Sequence, residues 1–70
     1  MEANKMGIVE MMDYIINREL TGRVAIMLHP DNFDDISAGY YGNPVEIMGI
    51  SVMEDTSGRV NRNRIQLVEL

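Results

Sequence analysis

Val24-Ala25-Ile26-Met27-Leu28 is the stretch that decides how this chain folds. Its apolar residues run without alternation, so neither side of the segment is marked for water. That pattern predicts a central strand covered on both faces.

Working outward, the segment from Ala3 to about Asn17 places Ile8, Met12, Ile15 and Ile16 at helical spacing, with Glu10, Asp13 and Asn17 interleaved. This predicts an amphipathic helix. Gly7 inside it costs on the order of 1 kcal/mol relative to alanine, so it either frays the first turn or admits close packing. Thr21-Gly22 separates that helix from the apolar run. After the run, His29-Pro30-Asp31-Asn32-Phe33-Asp34-Asp35-Ile36 reads as a short helix, because proline suits the first turn and acidic side chains favour the positive helix end. Phe33 and Ile36 then face the core, and Gly39 is suited to close the helix in a left-handed conformation.

Tyr40-Tyr41-Gly42-Asn43-Pro44 is turn chemistry leading into Val45-Glu46-Ile47-Met48 and Ile50-Ser51-Val52-Met53, both strand-like. Gly49 between them marks either a kink in one strand or a division into two short ones. Glu54–Asn63 is the longest polar stretch and forms a loop containing Ser57-Gly58. In the last segment Ile65 and Leu67 alternate with Arg64 and Gln66, which predicts a half-exposed strand pairing antiparallel with Ile50–Met53. The expected fold class is α+β. An amphipathic N-terminal helix precedes a β-α-β-β unit with a small, mostly antiparallel sheet, and residues 1–70 form a single small domain without internal repeats.

A chain of 70 residues buries only about 60% of its unfolded surface, which leaves no room for a sizeable cavity and makes stability marginal. With no cysteine, disulfides cannot reinforce it, so self-association is the cheap remaining reinforcement and a homo-oligomer is expected. The absence of cysteine also fits a reducing, cytoplasmic setting. Eleven acidic against six basic residues give a net charge of −5, which repels phosphates and argues against nucleic acid as a partner. Arg59, Arg62 and Arg64 form a local basic patch, read as a solvated loop and strand face. Glu2, Glu10 and Asp13 interrupt the N-terminal apolar residues, unlike a secretory signal. No apolar run nears the roughly 18 residues that cross a bilayer, so no membrane partner is expected.

Residues 23–70 carry a further pattern: an apolar strand running into a helix start at Leu28-His29-Pro30-Asp31, a turn, then Met48-Gly49-Ile50-Ser51-Val52-Met53, a loop and a strand. This resembles short uncharacterised tailed-phage and prophage proteins, and the end of the peripheral domain of the tailed-phage major capsid fold. The resemblance covers about two thirds of the chain. A capsid subunit needs a large axial domain and a long arm that 70 residues cannot hold, so it implies at most a free-standing relative of one subdomain. It implies a phage or prophage origin, the host cytoplasm as location, a binding or assembly role, and no catalytic residue to carry over.

Reactive constellations are sparse. His29, the single histidine, sits beside Asp31, Asp34 and Asp35, which suggests either a metal or acid–base site or simply a helix cap with helix-start acids. The acids lack the glycine and distal glutamate of a Ca²⁺ loop, and the cap reading is preferred. Neither Ser37 nor Ser51 lies in G-x-S-x-G, and Gly39-x-x-Gly42 lacks a GK[ST] continuation. Neither catalysis nor a cofactor is expected.

Contact chemistry is better represented. Seven methionines suit adaptable surfaces as well as core gaps. Met6 and Met11 do not fit one narrow stripe with Ile8, Met12 and Ile15, which leaves apolar surface on the helix for a partner. Tyr40 and Tyr41 on the turn are interface-anchor residues, and the last strand, ending at Leu70, is placed to extend a partner's sheet. The expected function is a small non-enzymatic protein-binding module of phage type, an inhibitor or adaptor of a host or virion protein, contacting it through Met6, Met11, Tyr40, Tyr41 and Leu70. The alternatives are a self-assembling, virion-type structural protein and a small hydrolase or metal-dependent enzyme centred on His29.

Overall fold

The computed structural model describes residues 7–39 and 44–70. Its elements run α1 (Ile8–Arg18), β1 (Val24–Leu28), α2 (Pro30–Ser37), β2 (Glu46–Ile47), β3 (Ile50–Glu54) and β4 (Ile65–Glu69). This is an α+β chain with one four-stranded mixed sheet in the order β2-β3-β1-β4.

The apolar run behaves as its composition requires. β1 lies between β3, which it pairs in parallel with Ile26 opposite Val52, and β4, which it pairs antiparallel with Ile26 opposite Leu67. Ala25, Ile26 and Leu28 are wholly buried. The expected pairing of the last strand with Ile50–Met53 is therefore corrected. β4 passes over to the far edge of β1, because the edge of β3 away from β1 is already taken by β2. The loop from Asp55 to Arg64 is long enough to make that crossing.

Met48 and Gly49 form a two-residue hairpin loop joining β2 to β3, with φ of 52° and 80°. Positive φ at both positions matches the twist of the flanking strands. The glycine thus divides the segment into two short strands. Gly39 does not turn left-handed; Ala38 keeps helical dihedrals and the Gly39 N–H donates to the Ile36 carbonyl at 3.1 Å.

Helix α1 runs Ile8–Arg18, and Ala3–Met6, where the apolar spacing starts the expected helix, lie outside the described residues. Gly7 is its N-cap, and the Glu10 carboxylate reaches back to accept from the Gly7 N–H at 3.0 Å. At the other end Glu19 is left-handed (φ 53°) and two bonds, Glu19 N–H to Ile16 O (3.2 Å) and Leu20 N–H to Ile15 O (3.1 Å), close the helix. That is the Schellman arrangement, and it turns half-buried Leu20 onto the core.

One face of the sheet carries Ile26, Leu28, Ile50 and Val52 against Met11 and Ile15 of α1 and Ile36 of α2. The expected core stripe of Ile8, Met12, Ile15 and Ile16 is corrected to Ile8, Met11 and Ile15, with Tyr14 at its border. A single Leu or Ile to Ala change in such a core costs about 2–5 kcal/mol, comparable to the roughly 3–5 kcal/mol that a core of this size supplies. Informative variants therefore belong on the surface. Met48→Asn and Glu19→Gly each place at a left-handed corner a residue that tolerates it. Each is expected to raise stability by about 0.5–1 kcal/mol, seen as a higher urea midpoint at unchanged slope.

Candidate functional site

The polar groups with the most reactive potential are committed to holding backbone. His29 is the N-cap of α2, its Nδ1 accepting from the Asp31 N–H at 3.0 Å. The Asp31 carboxylate pairs with Arg62, and the Ser37 hydroxyl donates to the Asp34 carbonyl at 3.3 Å. Among the described residues no three His, Asp or Glu side chains converge as metal ligands would. The arrangement around His29 caps a helix.

Two buried polar residues were not singled out by sequence. Asn32 and Asn63 bond reciprocally: Asn32 Nδ2 donates to Asn63 Oδ1 (3.0 Å) and the Asn63 N–H donates to Asn32 Oδ1 (2.6 Å). This ties α2 to the left-handed Asn63 corner (φ 63°) that aims β4 at β1. Asp55 organises the loop after β3. Its N–H donates to the Leu28 carbonyl (2.8 Å), and its carboxylate accepts from the Ser57 hydroxyl (2.6 Å), the Ser57 N–H (2.9 Å) and the Val60 N–H (2.7 Å). The loop thereby lays buried Val60 beside Met27, Gln66 and Val68, around an open concavity of ≈ 530 Å³ on the sheet face away from the helices. The signal that could have revealed Asp55 is the Asp-x-Ser-Gly string, a turn in which an aspartate bonds backbone two residues on.

These bonds, led by the Ser57 hydroxyl and then the Val60 and Ser57 amides, hold the Asp55 carboxyl at about 2, below its ordinary 3.8. A lowered folded-state value means the ionised form is favoured by folding, so the contribution is complete above pH ~4 and vanishes as pH falls through ~2.

The surfaces available for contact differ in part from the expected ones. Met6, Tyr40 and Tyr41 lie outside the described residues. Met11 is a correction, being 1% exposed within the core, because its position on α1 is one turn from both Ile8 and Ile15 and points at the sheet. Leu70 is 76% exposed just past the end of β4. On α1 the outward apolar residues are instead Val9, Met12 and Ile16, exposed by 65%, 37% and 56%. They repeat the spacing of Ile8, Met11 and Ile15 displaced by one residue, or about 100° around the helix. Exposed Met48 lies on the hairpin whose Gly49 carbonyl approaches Gly22, just beyond the end of α1.

No protein-family model, curated protein or solved structure matches this chain. No helix among the described residues is long and apolar enough to cross a membrane.

The natural chain is expected to lose more stability between pH 4 and pH 2 than Asp55→Asn does. The variant should already be weaker at neutral pH, because an amide cannot accept all of those bonds at once. Urea melts at each pH read both effects; parallel pH profiles for the two proteins would contradict the assignment.

Proposed function

We propose that this chain is a small non-enzymatic protein-binding module, an inhibitor or adaptor of a larger protein, that presents the outer flank of α1 to its partner. The supporting observation is that Val9, Met12 and Ile16 line up at helical spacing on a helix whose adjacent flank already fills the core. A helix exposing such a row presents the i, i+3, i+7 anchors by which amphipathic helices enter apolar grooves. Methionine at the centre of the row adapts its shape to the surface it meets.

The non-enzymatic part of the reading is supported by the use already made of His29, Ser37 and Asp55 in capping and loop bonds. The phage or prophage character, a host or virion protein as the partner, and action in the host cytoplasm belong to the same proposal and draw on the resemblance of residues 23–70. Tyr40 and Tyr41 join it as interface anchors on sequence grounds. A second reading, self-assembly as a structural protein, is favoured by the outer edge of β4, which pairs with no strand among the described residues.

Capture of a partner by the immobilised chain should be lost with the exposed substitutions Met12→Glu and Ile16→Glu combined, while the circular dichroism spectrum is kept. Undiminished capture by that double variant would exclude the α1 flank as the contact surface. A stable high-order ring or shell in sedimentation would favour the structural reading instead.

A further inference from the structure

Among the described residues the outer edge of β4 pairs with no strand, and that edge has a definable occupant. Residue positions in β1 and β4 that face each other alternate between exchanging backbone hydrogen bonds and not doing so. The Leu70 N–H donates to the Arg23 carbonyl at 2.9 Å. The register Val24–Glu69, Ala25–Val68, Ile26–Leu67 then assigns the bonds toward β1 to residues 66, 68 and 70. The N–H and C=O groups of Ile65, Leu67 and Glu69 therefore point away from the sheet. The Gln66 side-chain amide, which donates to the Leu67 carbonyl at 3.2 Å, marks that outward direction.

Sheet edges are usually blunted by lysine, proline, a bulge or extreme shortness. Ile65-Gln66-Leu67-Val68-Glu69 has no lysine or proline and pairs continuously with β1 over its five residues, whereas the opposite edge, β2, is only two residues long.

Charge selects what pairs there. Ile65, Leu67 and Glu69 alternate onto the helix-bearing face. At the Ile65 end of that face lies a concavity lined by Tyr14, Arg18, Asn63 and Arg64. The Arg18 guanidinium is stacked 4.8 Å from the Tyr14 ring centroid. Among the described residues neither Arg18 nor Arg64 joins an ion pair. The strand is thus basic at its start and acidic at its end.

We infer that the β4 edge binds a second copy of this chain, antiparallel about a two-fold axis at Leu67. Ile65 then faces Glu69 of the second copy, and Leu67 faces Leu67 of the second copy. All are positions with outward backbone groups. Glu69 of the second copy enters the Tyr14–Arg18 concavity, and the contact is repeated on the other side of the axis. A parallel arrangement would instead set Glu69 beside Glu69 and Arg64 beside Arg64. The product is one eight-stranded sheet with all helices on the same face. Tyr14 and Arg18 lie on the flank of α1 opposite to Val9, Met12 and Ile16, so this dimer leaves the proposed partner surface free and stands or falls independently of it.

Sedimentation equilibrium of the full chain tests the inference. A reversible dimer of micromolar affinity is expected. Arg18→Glu and Glu69→Arg, both at the surface, should each weaken it about tenfold, because two ion pairs become two repulsions. Combining the two reversals should restore the affinity to within about threefold of the natural chain. Glu69→Pro, which removes an outward N–H and no ladder bond, should abolish the dimer with the fold intact by circular dichroism. A chain that stays monomeric at about 100 μM, a dimer indifferent to the reversals, or one that the double reversal fails to restore would overturn it.

Discussion

The constraint on which the rest of this molecule depends is the burial of β1, complete at Ala25, Ile26 and Leu28 and partial at Val24 and Met27. Ala25, Ile26 and Leu28 retain no contact with solvent, so both edges of the strand must be paired and both faces covered. A chain of 70 residues has few segments to do this. β3 and β4 take the edges. The helices cover one face, and the loop from Asp55, bringing Val60, partly covers the other. The parallel pairing of β1 with β3 follows from routing the chain through α2 and the β2 hairpin before it returns to the sheet.

Coverage by a loop is only as good as the bonds that shape it. Asp55 satisfies three donors of that loop with one carboxylate, and the Asn32–Asn63 pair fixes where the loop ends. Hydrogen bonds to a buried charged group contribute more than those between neutral groups. Left-handed, non-glycine corners at Glu19, Met48 and Asn63 show the same economy from the other side. Short connections force the backbone into conformations that cost energy, and packing of Leu20, Ile47 and β4 offsets the strain. Among the described residues the outer flank of α1 keeps its apolar side chains exposed and the outer edge of β4 pairs with no strand.

Much of the fold was legible in local patterns. The apolar run announced a central strand, proline after His29 announced a helix start, and the glycine at 49 announced either a kink or a division, of which the structure has the division. The exposed apolar surface was legible only in outline. That α1 carries more apolar side chains than one core stripe can use was legible in Met6 and Met11, which do not fit one narrow stripe with Ile8, Met12 and Ile15. Which of Met11 and Met12 faces the sheet was not, because Ile8-Met11-Ile15 and Val9-Met12-Ile16 have identical spacing and comparable hydrophobicity.

By itself, then, the amino-acid order determined the kinds of element and their succession, because caps, turns and periodicity act between residues a few positions apart. The tertiary structure alone decided that β4 lies beside β1 and not β3, that Met11 turns inward and Met12 outward, and that Asp55 and Asn32 are buried. Each of these depends on which distant segment reaches a site first and fills it best. Such a competition is settled by long-range packing and pairing, and local sequence carries no record of it.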